Sequence, residues 1–118
     1  MSREEVARQL IKIVGHYIDA SLIERVIANL RKLLIDIDWI YGRRINEEGL
    51  YEIYLMVRKN PNLHLAILNL SKTVGIEKVV VFDGEYDERI LDENDKTFIV
   101  YIPKSGKAKE YSWGVVNG

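Results

Sequence analysis

The sequence predicts a single α+β domain in which two helices cover one face of an antiparallel four-stranded sheet. Two segments carry apolar residues at helical spacing, and four others are rich in β-branched and aromatic residues, as strands are. These segments follow one another in the order β-α-β-β-α-β. A chain of 118 residues has the usual size of one domain, so we expect one domain over 1–118 with its core at 9–83.

Residues 9–18 predict the first strand because they are mostly β-branched and aromatic. Some of their apolar residues also lie at helical spacing, but Gly15 disfavours a long helix there. Ser2 and Glu5 have the spacing of a capping box, which predicts a brief helical turn before the strand.

The next segment predicts a helix from about 22 to 34. Ser21 and Glu24 have the S-x-x-E spacing of a capping box, in which each side chain bonds the other residue's backbone N–H. The stripe expected to be buried consists of Ile23, Ile27, Leu30 and Leu34.

Residues 36–45 predict the second strand and residues 50–59 the third, with a turn at 46–49 in which Gly49 can adopt positive φ. The third strand alternates regularly, which predicts two distinct faces. One face carries Tyr51, Ile53, Leu55 and Val57, and the other carries Glu52, Tyr54, Met56 and Arg58.

The second helix is predicted to begin at Asn60 and Pro61, with asparagine as the cap and proline at the first helical position. Gly75 is expected to end it. Its buried stripe is expected to be Leu63, Ile67, Leu70 and Val74. The short apolar segment 77–83 predicts the fourth strand.

In this order of elements both crossover helices lie on the same face of the sheet, which predicts a ferredoxin-like fold. The strand at 36–45 then lies at a sheet edge and carries Trp39 and Ile40. A monomer would expose both side chains on an unpaired edge. We therefore expect a homodimer or a larger homo-oligomer.

The C-terminal part predicts a connector followed by a β-hairpin. Residues 84–96 are acidic and aperiodic, as a solvated connector is. Residues 97–116 contain two strand-like segments around a turn at Ser105 and Gly106. The expected cross-strand pairs are Phe98 with Trp113 and Val100 with Tyr111. Because an isolated hairpin is marginal in water, we expect it to dock on the uncovered sheet face, in its own subunit or in a partner.

The composition excludes several classes of function. With 17 basic and 18 acidic residues the net charge is -1, which gives no overall field for nucleic acid or an anionic membrane. There is no cysteine, so disulfides and thiolate metal sites are excluded. The charged N-terminal segment and the absence of a long apolar run predict a cytoplasmic protein. Abundant Ile, Val, Lys and Glu are typical of a thermophile.

No catalytic or metal-binding constellation stands out. His16 and His64 lack the neighbours that metal sites and serine nucleophiles need. The acidic stretch 83–95 lacks the ligand spacing of a calcium loop, and no glycine-rich phosphate loop is present. We therefore expect no enzymatic activity, no metal and no cofactor.

RNA binding is a weaker alternative, because RNA-recognition modules share this order of elements. Tyr54 could stack a base, and Arg43 with Arg44 supplies positive charge. The basic-aromatic run of such modules is missing, and charged pairs on edge strands more often prevent aggregation.

Residues 11–83 resemble an ACT domain, the amino-acid-sensing module attached to many biosynthetic enzymes. The resemblance is carried by residues 25–30 (Arg-Val-Ile-Ala-Asn-Leu), by Ile35-Asp36-Ile37 at the head of the second strand, and by the closing strand at 77–83. The chain is similar in particular to the ACT domain of the acetolactate synthase small (regulatory) subunit. That resemblance implies a regulatory subunit of branched-chain amino-acid biosynthesis, with a biosynthetic enzyme as its partner.

The resemblance also implies an amino-acid ligand at the interface of a side-by-side dimer. The ligand would lie between the loop after the first strand of one subunit and Asp36 of the other. The implied loop residues are Ile18, Asp19, Ala20, Ser21 and Leu22. Ser21 replaces the family's glycine at the start of the helix, and Asp36 replaces its asparagine. The alternative is a ferredoxin-like module for dimerisation or protein–protein interaction without a small-molecule ligand.

Overall fold

The computed structural model describes residues 7–82, 86–93, 96–103 and 108–112. These residues form the predicted β-α-β-β-α-β order, followed by three further strands. The elements are β1 (Arg8–His16), α1 (Ser21–Lys32), β2 (Ile37–Arg44), β3 (Leu50–Arg58), α2 (Leu63–Ser71), β4 (Ile76–Phe82), β5 (Tyr86–Glu93), β6 (Lys96–Pro103) and β7 (Ala108–Tyr111). The predicted turn at Ser2 and Glu5 lies outside the described residues.

The main sheet has the strand order β2-β3-β1-β4-β7, and all four neighbouring pairs are antiparallel. Each β-α-β crossover skips one strand: β3 lies between β1 and β2, and β1 lies between β3 and β4. This is the ferredoxin-like α+β topology that the sequence predicts. Among the described residues, no helix has the length and apolar character needed to span a membrane.

Both helices pack on one face of the sheet and enclose the core. The alternation of β3 is confirmed, because Ile53, Leu55 and Val57 join this core. The other core residues come from the remaining strands, the helices and the segment between α1 and β2: Ile11, Ile13, Leu22, Val26, Leu30, Ile35, Leu63, Ala66, Ile67, Leu70, Ile76, Val79 and Val81.

The prediction of the buried stripe of α1 is wrong, because two of the buried residues lie one position earlier in the helix than expected. The buried residues are Leu22, Val26 and Leu30, whereas Ile27 is 40% exposed and Leu34 is 79% exposed. The helix begins at Ser21 and ends at Lys32, so Leu34 lies beyond it. Leu22, Val26 and Leu30 are spaced four residues apart and form the face of the helix that packs on the sheet.

The predicted ends of α2 also need correction. The helix begins at Leu63, because Asn60 and Pro61 lie in a preceding turn in which Oδ1 of Asn60 accepts the Asn62 N–H at 2.7 Å. The helix ends at Ser71, so Val74 is 80% exposed instead of buried. Ala66 takes its place in the buried stripe.

The C-terminal pairing differs from the predicted hairpin. Residues 86–93 are not a connector but strand β5, which pairs with β6. β7 pairs with the outer edge of β4, and Tyr111 lies opposite Val79. β5 pairs antiparallel with β6, the next strand along the chain, from Tyr86 opposite Pro103 to Glu93 opposite Lys96. Because β6 pairs with β5, β7 does not pair with β6 and instead extends the main sheet. Ser105, Gly106 and Trp113 lie outside the described residues.

Candidate ligand-binding surface

The loop predicted to contact a ligand lies at the start of α1. Ile18 is 92% exposed, and Asp19 and Ala20 are also exposed. Ser21 is half-buried at the first position of the helix. Leu22 is only 3% exposed and belongs to the core, so its side chain supports the loop and does not face a ligand.

The first N–H group of α1 donates to the carboxylate of Asp19. The Ser21 N–H donates to Oδ1 of Asp19 at 2.7 Å, and the cap residue Ala20 makes no side-chain capping bond. The predicted capping box between Ser21 and Glu24 is therefore wrong. Ser21 is already inside the helix, and an aspartate two residues before it closes an Asx turn instead. The Ser21 hydroxyl and then its N–H hold the pKa of Asp19 below its ordinary value.

Asp36 lies at the opposite end of α1, in the segment that leads into β2. A helix of 12 residues is about 18 Å long at 1.5 Å per residue. Within one subunit, the structure therefore does not bring Asp36 together with residues 18–22. Asp36 instead lies in an open groove of about 320 Å³ between the end of α1 and the head of β2. The groove is lined by Ile27, Arg31, Leu34, Ile35, Asp36 and Ile37.

Leu34 holds an unusual backbone conformation at this groove. Its N–H donates to the Arg31 carbonyl at 3.1 Å, and the Ile35 N–H donates to the Leu30 carbonyl at 3.0 Å, as in a Schellman motif. The motif places Leu34 at φ 59°, a position that glycine usually occupies. The left-handed conformation costs a residue with a Cβ about 1–2 kcal/mol. The leucine side chain nevertheless points into solvent.

β2 has β3 on one side and, in the described sheet, no strand on the other. Its ladder with β3 shifts between Ile37 and Trp39, which leaves Asp38 as the extra residue of a bulge. The Asp38 carboxylate accepts a bond from Arg8 at 2.5 Å and one from Arg58 at 2.9 Å. Since Arg8 and Arg58 are directly opposite in the ladder of β1 and β3, Asp38 neutralises a pair of like charges.

Sequence reasoning missed an aromatic stack at the other end of β2. The rings of Tyr17 and Tyr51 have centroids 4.8 Å apart at an interplanar angle of 31°. The guanidinium carbon of Arg44 lies 4.9 Å from the Tyr17 ring centroid. Tyr17 directly precedes the loop 18–22, so this stack adjoins the predicted ligand-binding loop.

Gly42 makes room for the stack. A Cβ atom on Gly42 would lie 2.6 Å from the hydroxyl oxygen of Tyr51 and 2.8 Å from a ring carbon. The Tyr51 ring therefore lies across the backbone of β2. A glycine inside an otherwise bulky strand was the one sequence signal that could have indicated this close approach.

The sheet face that is not covered by the helices carries a polar cluster near the end of β2, formed by Arg43, Glu52 and Tyr54. Glu52 is only 6% exposed, and its carboxylate accepts a bond from Arg43. Burial, and then the Glu52 carboxylate, raise the pKa of the neighbouring Tyr54. Tyr54, the tyrosine on which the RNA alternative depended, is thus partly buried beside the ion pair of Arg43 and Glu52.

The histidines do not form a site together. His16 Nε2 lies 2.6 Å from a carboxylate oxygen of Glu77, and the His64 ring contacts Tyr111 edge-on at 6.2 Å. In the part of the chain that the structure describes, His, Cys, Asp and Glu side chains are nowhere grouped in threes that could hold a metal ion.

Comparison with known proteins identifies the fold. The ACT domain from the GTP pyrophosphokinase of Chlorobium tepidum superposes with a TM-score of 0.52 at 22% sequence identity. The match covers 64% of this chain and 96% of that domain. The chain has the fold of an ACT domain. No family model matches its sequence, and no curated protein matches it. The resemblance to ACT domains is therefore confirmed for the fold, while the likeness to the acetolactate synthase small subunit stays a prediction.

Proposed function

We propose that this chain is a non-catalytic ACT regulatory module that dimerises through β2 and binds a small molecule between its subunits. The observation that carries the proposal is the position of the two predicted half-sites at opposite ends of α1: residues 18–22 precede the helix and Asp36 follows it. A two-fold axis beside β2 reverses one α1 relative to the other. Each loop 18–22 then faces Asp36 of the other subunit, and a symmetric dimer has two such sites.

The charge pattern of β2 supports pairing with its own copy. The strand is preceded by Asp36 and ends with Arg44, and its middle exposes Ile40 and Tyr41. In antiparallel self-pairing the acidic head of one strand lies opposite the basic tail of the other. Parallel pairing would place like charges side by side. Backbone hydrogen bonding along the free edge adds to this preference.

The groove at Asp36 suits a ligand with an ammonium group and an apolar side chain. The Asp36 carboxylate is exposed and can pair with the ammonium group. Ile27 and Leu34 supply exposed apolar surface beside it. The resemblance to the acetolactate synthase small subunit makes valine, leucine and isoleucine the first ligands to test, and an enzyme of branched-chain amino-acid synthesis the first partner.

A second candidate is a dimerisation module that binds no small molecule. It is favoured by Asp19, whose carboxylate already accepts the Ser21 N–H that would otherwise be available to a ligand at the start of α1. Because Asp19 is ionised at neutral pH, it repels a second anion there.

Two measurements test the proposal and separate the candidates. Light scattering at micromolar concentration is expected to give a dimer, and a monomer would contradict both. Calorimetry with valine, leucine and isoleucine is expected to show binding of at least one of them. Asp36→Ala removes the carboxylate that would bind the ligand's ammonium group and is expected to abolish amino-acid binding. Asp36→Asn introduces the amide that is usual in the family and is expected to retain part of the affinity. A dimer that binds none of the three supports the second candidate.

A further inference from the structure

The contact that positions Arg44 among the described residues is a cation–π contact with Tyr17. Its guanidinium lies over the face of Tyr17, with 4.9 Å between the guanidinium carbon and the ring centroid. In the described part of the chain no carboxylate lies within 4.0 Å of it. A cation–π contact of this kind uses no oxygen acceptor, so the guanidinium N–H donors can still bind a carboxylate bidentately.

Several contacts fix the stack in place. The Tyr17 N–H donates to the Gly49 carbonyl at 2.7 Å, which ties the end of β1 to the turn before β3. The Tyr17 ring packs on Tyr51, which in turn lies over Gly42. Arg44 thus lies on an ordered aromatic platform, so less side-chain entropy is lost when it binds a partner.

The start of α1, the other electropositive feature beside the loop, is occupied by the protein itself. The Asp19 carboxylate accepts the Ser21 N–H at 2.7 Å. A ligand anion at that end of the helix would have to displace an ionised carboxylate. At Arg44 it would reach a cation that has no carboxylate partner among the described residues.

We infer that Arg44, stacked on Tyr17, is the carboxylate-binding element of the site. The inference deepens the proposed function and rests on it for the identity of the ligand: a small monocarboxylate whose carboxylate is held by Arg44 and whose ammonium group is held by Asp36 of the other subunit. The start of α1 then supports the loop and binds no anion. The same guanidinium could also receive the Asp36 carboxylate of the second subunit directly, since both sources offer the same chemical group.

The neighbouring Arg43 provides a matched control. Both arginines are exposed and adjacent on β2, but Arg43 is bound to the Glu52 carboxylate on the opposite sheet face. Arg44→Gln and Arg43→Gln therefore remove the same charge from the same strand. Only the first removes a guanidinium that has no acidic partner in the described structure.

The test is an NMR titration of the intact protein with sodium acetate at constant ionic strength. The expected result is a saturable shift of the Arg44 Nε–H and Tyr17 N–H signals, retained in Arg43→Gln and absent in Arg44→Gln. If only the Asp36→Ala variant responds, the site is real and its native occupant is Asp36 of the second subunit. If acetate shifts neither signal in the wild type or in Asp36→Ala, the inference is overturned. An acetate response at Ser21 and Leu22 that persists in Arg44→Gln also overturns it.

Amino-acid binding then separates this inference from the proposed function. For a branched-chain amino acid that binds the wild type, Arg44→Gln is expected to weaken the affinity about tenfold or more, as loss of a charge-assisted bond does. Arg44→Lys keeps the charge without the planar fork and is expected to restore part of it. Unchanged affinity in Arg44→Gln overturns the inference while the proposed function stands. Acetate binding without amino-acid binding would support the inference about Arg44 and overturn the proposed function.

Discussion

Gly15 approaches Gly75 so closely that a Cβ atom on Gly15 would lie 2.5 Å from the Gly75 carbonyl oxygen. The same carbonyl accepts the His16 N–H at 2.8 Å, at the point where the ladder between β1 and β4 shifts register. The two backbones can meet there only because residue 15 has no side chain.

Gly15→Ala is therefore expected to destabilise the fold by about 1–3 kcal/mol, because a methyl group in a packed site forces the backbone to move. Urea denaturation monitored by circular dichroism measures the loss. Gly49→Ala is a useful comparison. Its neighbour, the Tyr17 carbonyl oxygen, is 3.3 Å from the added Cβ, but φ is +93°, so the strain there is in the backbone. A Gly15→Ala protein as stable as the wild type would contradict the close contact.

Leu34→Gly is expected to have opposite effects on the fold and on the dimer. Glycine relieves the left-handed strain at φ 59° and should stabilise the subunit by up to about 1 kcal/mol, since its own entropy cost offsets part of the gain. The same change removes an exposed apolar side chain from the proposed interface and should weaken dimerisation. Denaturation at low protein concentration measures the first effect and sedimentation velocity the second. Loss of stability with an unchanged dimer would show that Leu34 serves the fold alone.

Gly42→Ala is expected to disturb the Tyr51 ring, because the added methyl would lie 2.6 Å from its hydroxyl oxygen. The near-ultraviolet circular dichroism of the tyrosines should change, and stability should fall by about 1–3 kcal/mol. In a Tyr51→Leu background the same substitution should cost less, because the shorter side chain does not reach across β2. Equal losses in both backgrounds would mean that the two residues are not coupled.

The Asp38 bridge predicts an acid-dependent loss of stability. Hydrogen bonds from Arg58 and then Arg8 hold the pKa of Asp38 below its ordinary 3.8. A folded-state pKa lower than the unfolded one gives stability that is present above 3.8 and disappears as the pH falls through the lower folded value. The contribution of so exposed a group is expected to be no more than about 1 kcal/mol.

Asp38→Asn should remove this contribution at neutral pH and leave Arg8 and Arg58 facing each other without a carboxylate. The difference in unfolding free energy between the wild type and this variant should therefore shrink as the pH is lowered below 3.8. A constant difference across that range would show that the two ion pairs contribute nothing to stability.

The order of elements could be predicted because it depends on local patterns, such as the strict alternation of β3. The residue at which α1 ends could not be predicted from such patterns. The spacing of apolar residues continues through Leu34, and the residue that ends the helix in a left-handed conformation is a leucine, not the glycine that marks most such ends. Similarly, Ser21 and Glu24 have the spacing of a capping box, but Asp19 is equally close in sequence and forms the actual bond.

The candidate site was predictable only where it is continuous in sequence. Residues 18–22 are adjacent in the chain, so the resemblance to ACT domains could indicate them together. Tyr17 follows β1, whereas Arg44 lies in β2 and Tyr51 in β3, and only the register that sets Arg44 opposite Tyr51 makes the three residues neighbours. The prediction of the C-terminal strand pairing failed for a related reason. Several alternating segments can pair equally well, and the entropy of closing the loop between them favours the pair that is nearer in sequence.

The placement of β7 limits how far the protein can grow by strand pairing. β7 is only four residues long and exposes Lys109 and Glu110, so it ends the described sheet with a short, charged border that discourages further addition. The opposite border, β2, is twice as long and open. If β2 pairs with β2 of a second copy, as proposed, the combined sheet has a β7 strand at each border. Association through β2 therefore ends at a pair instead of propagating into a fibre.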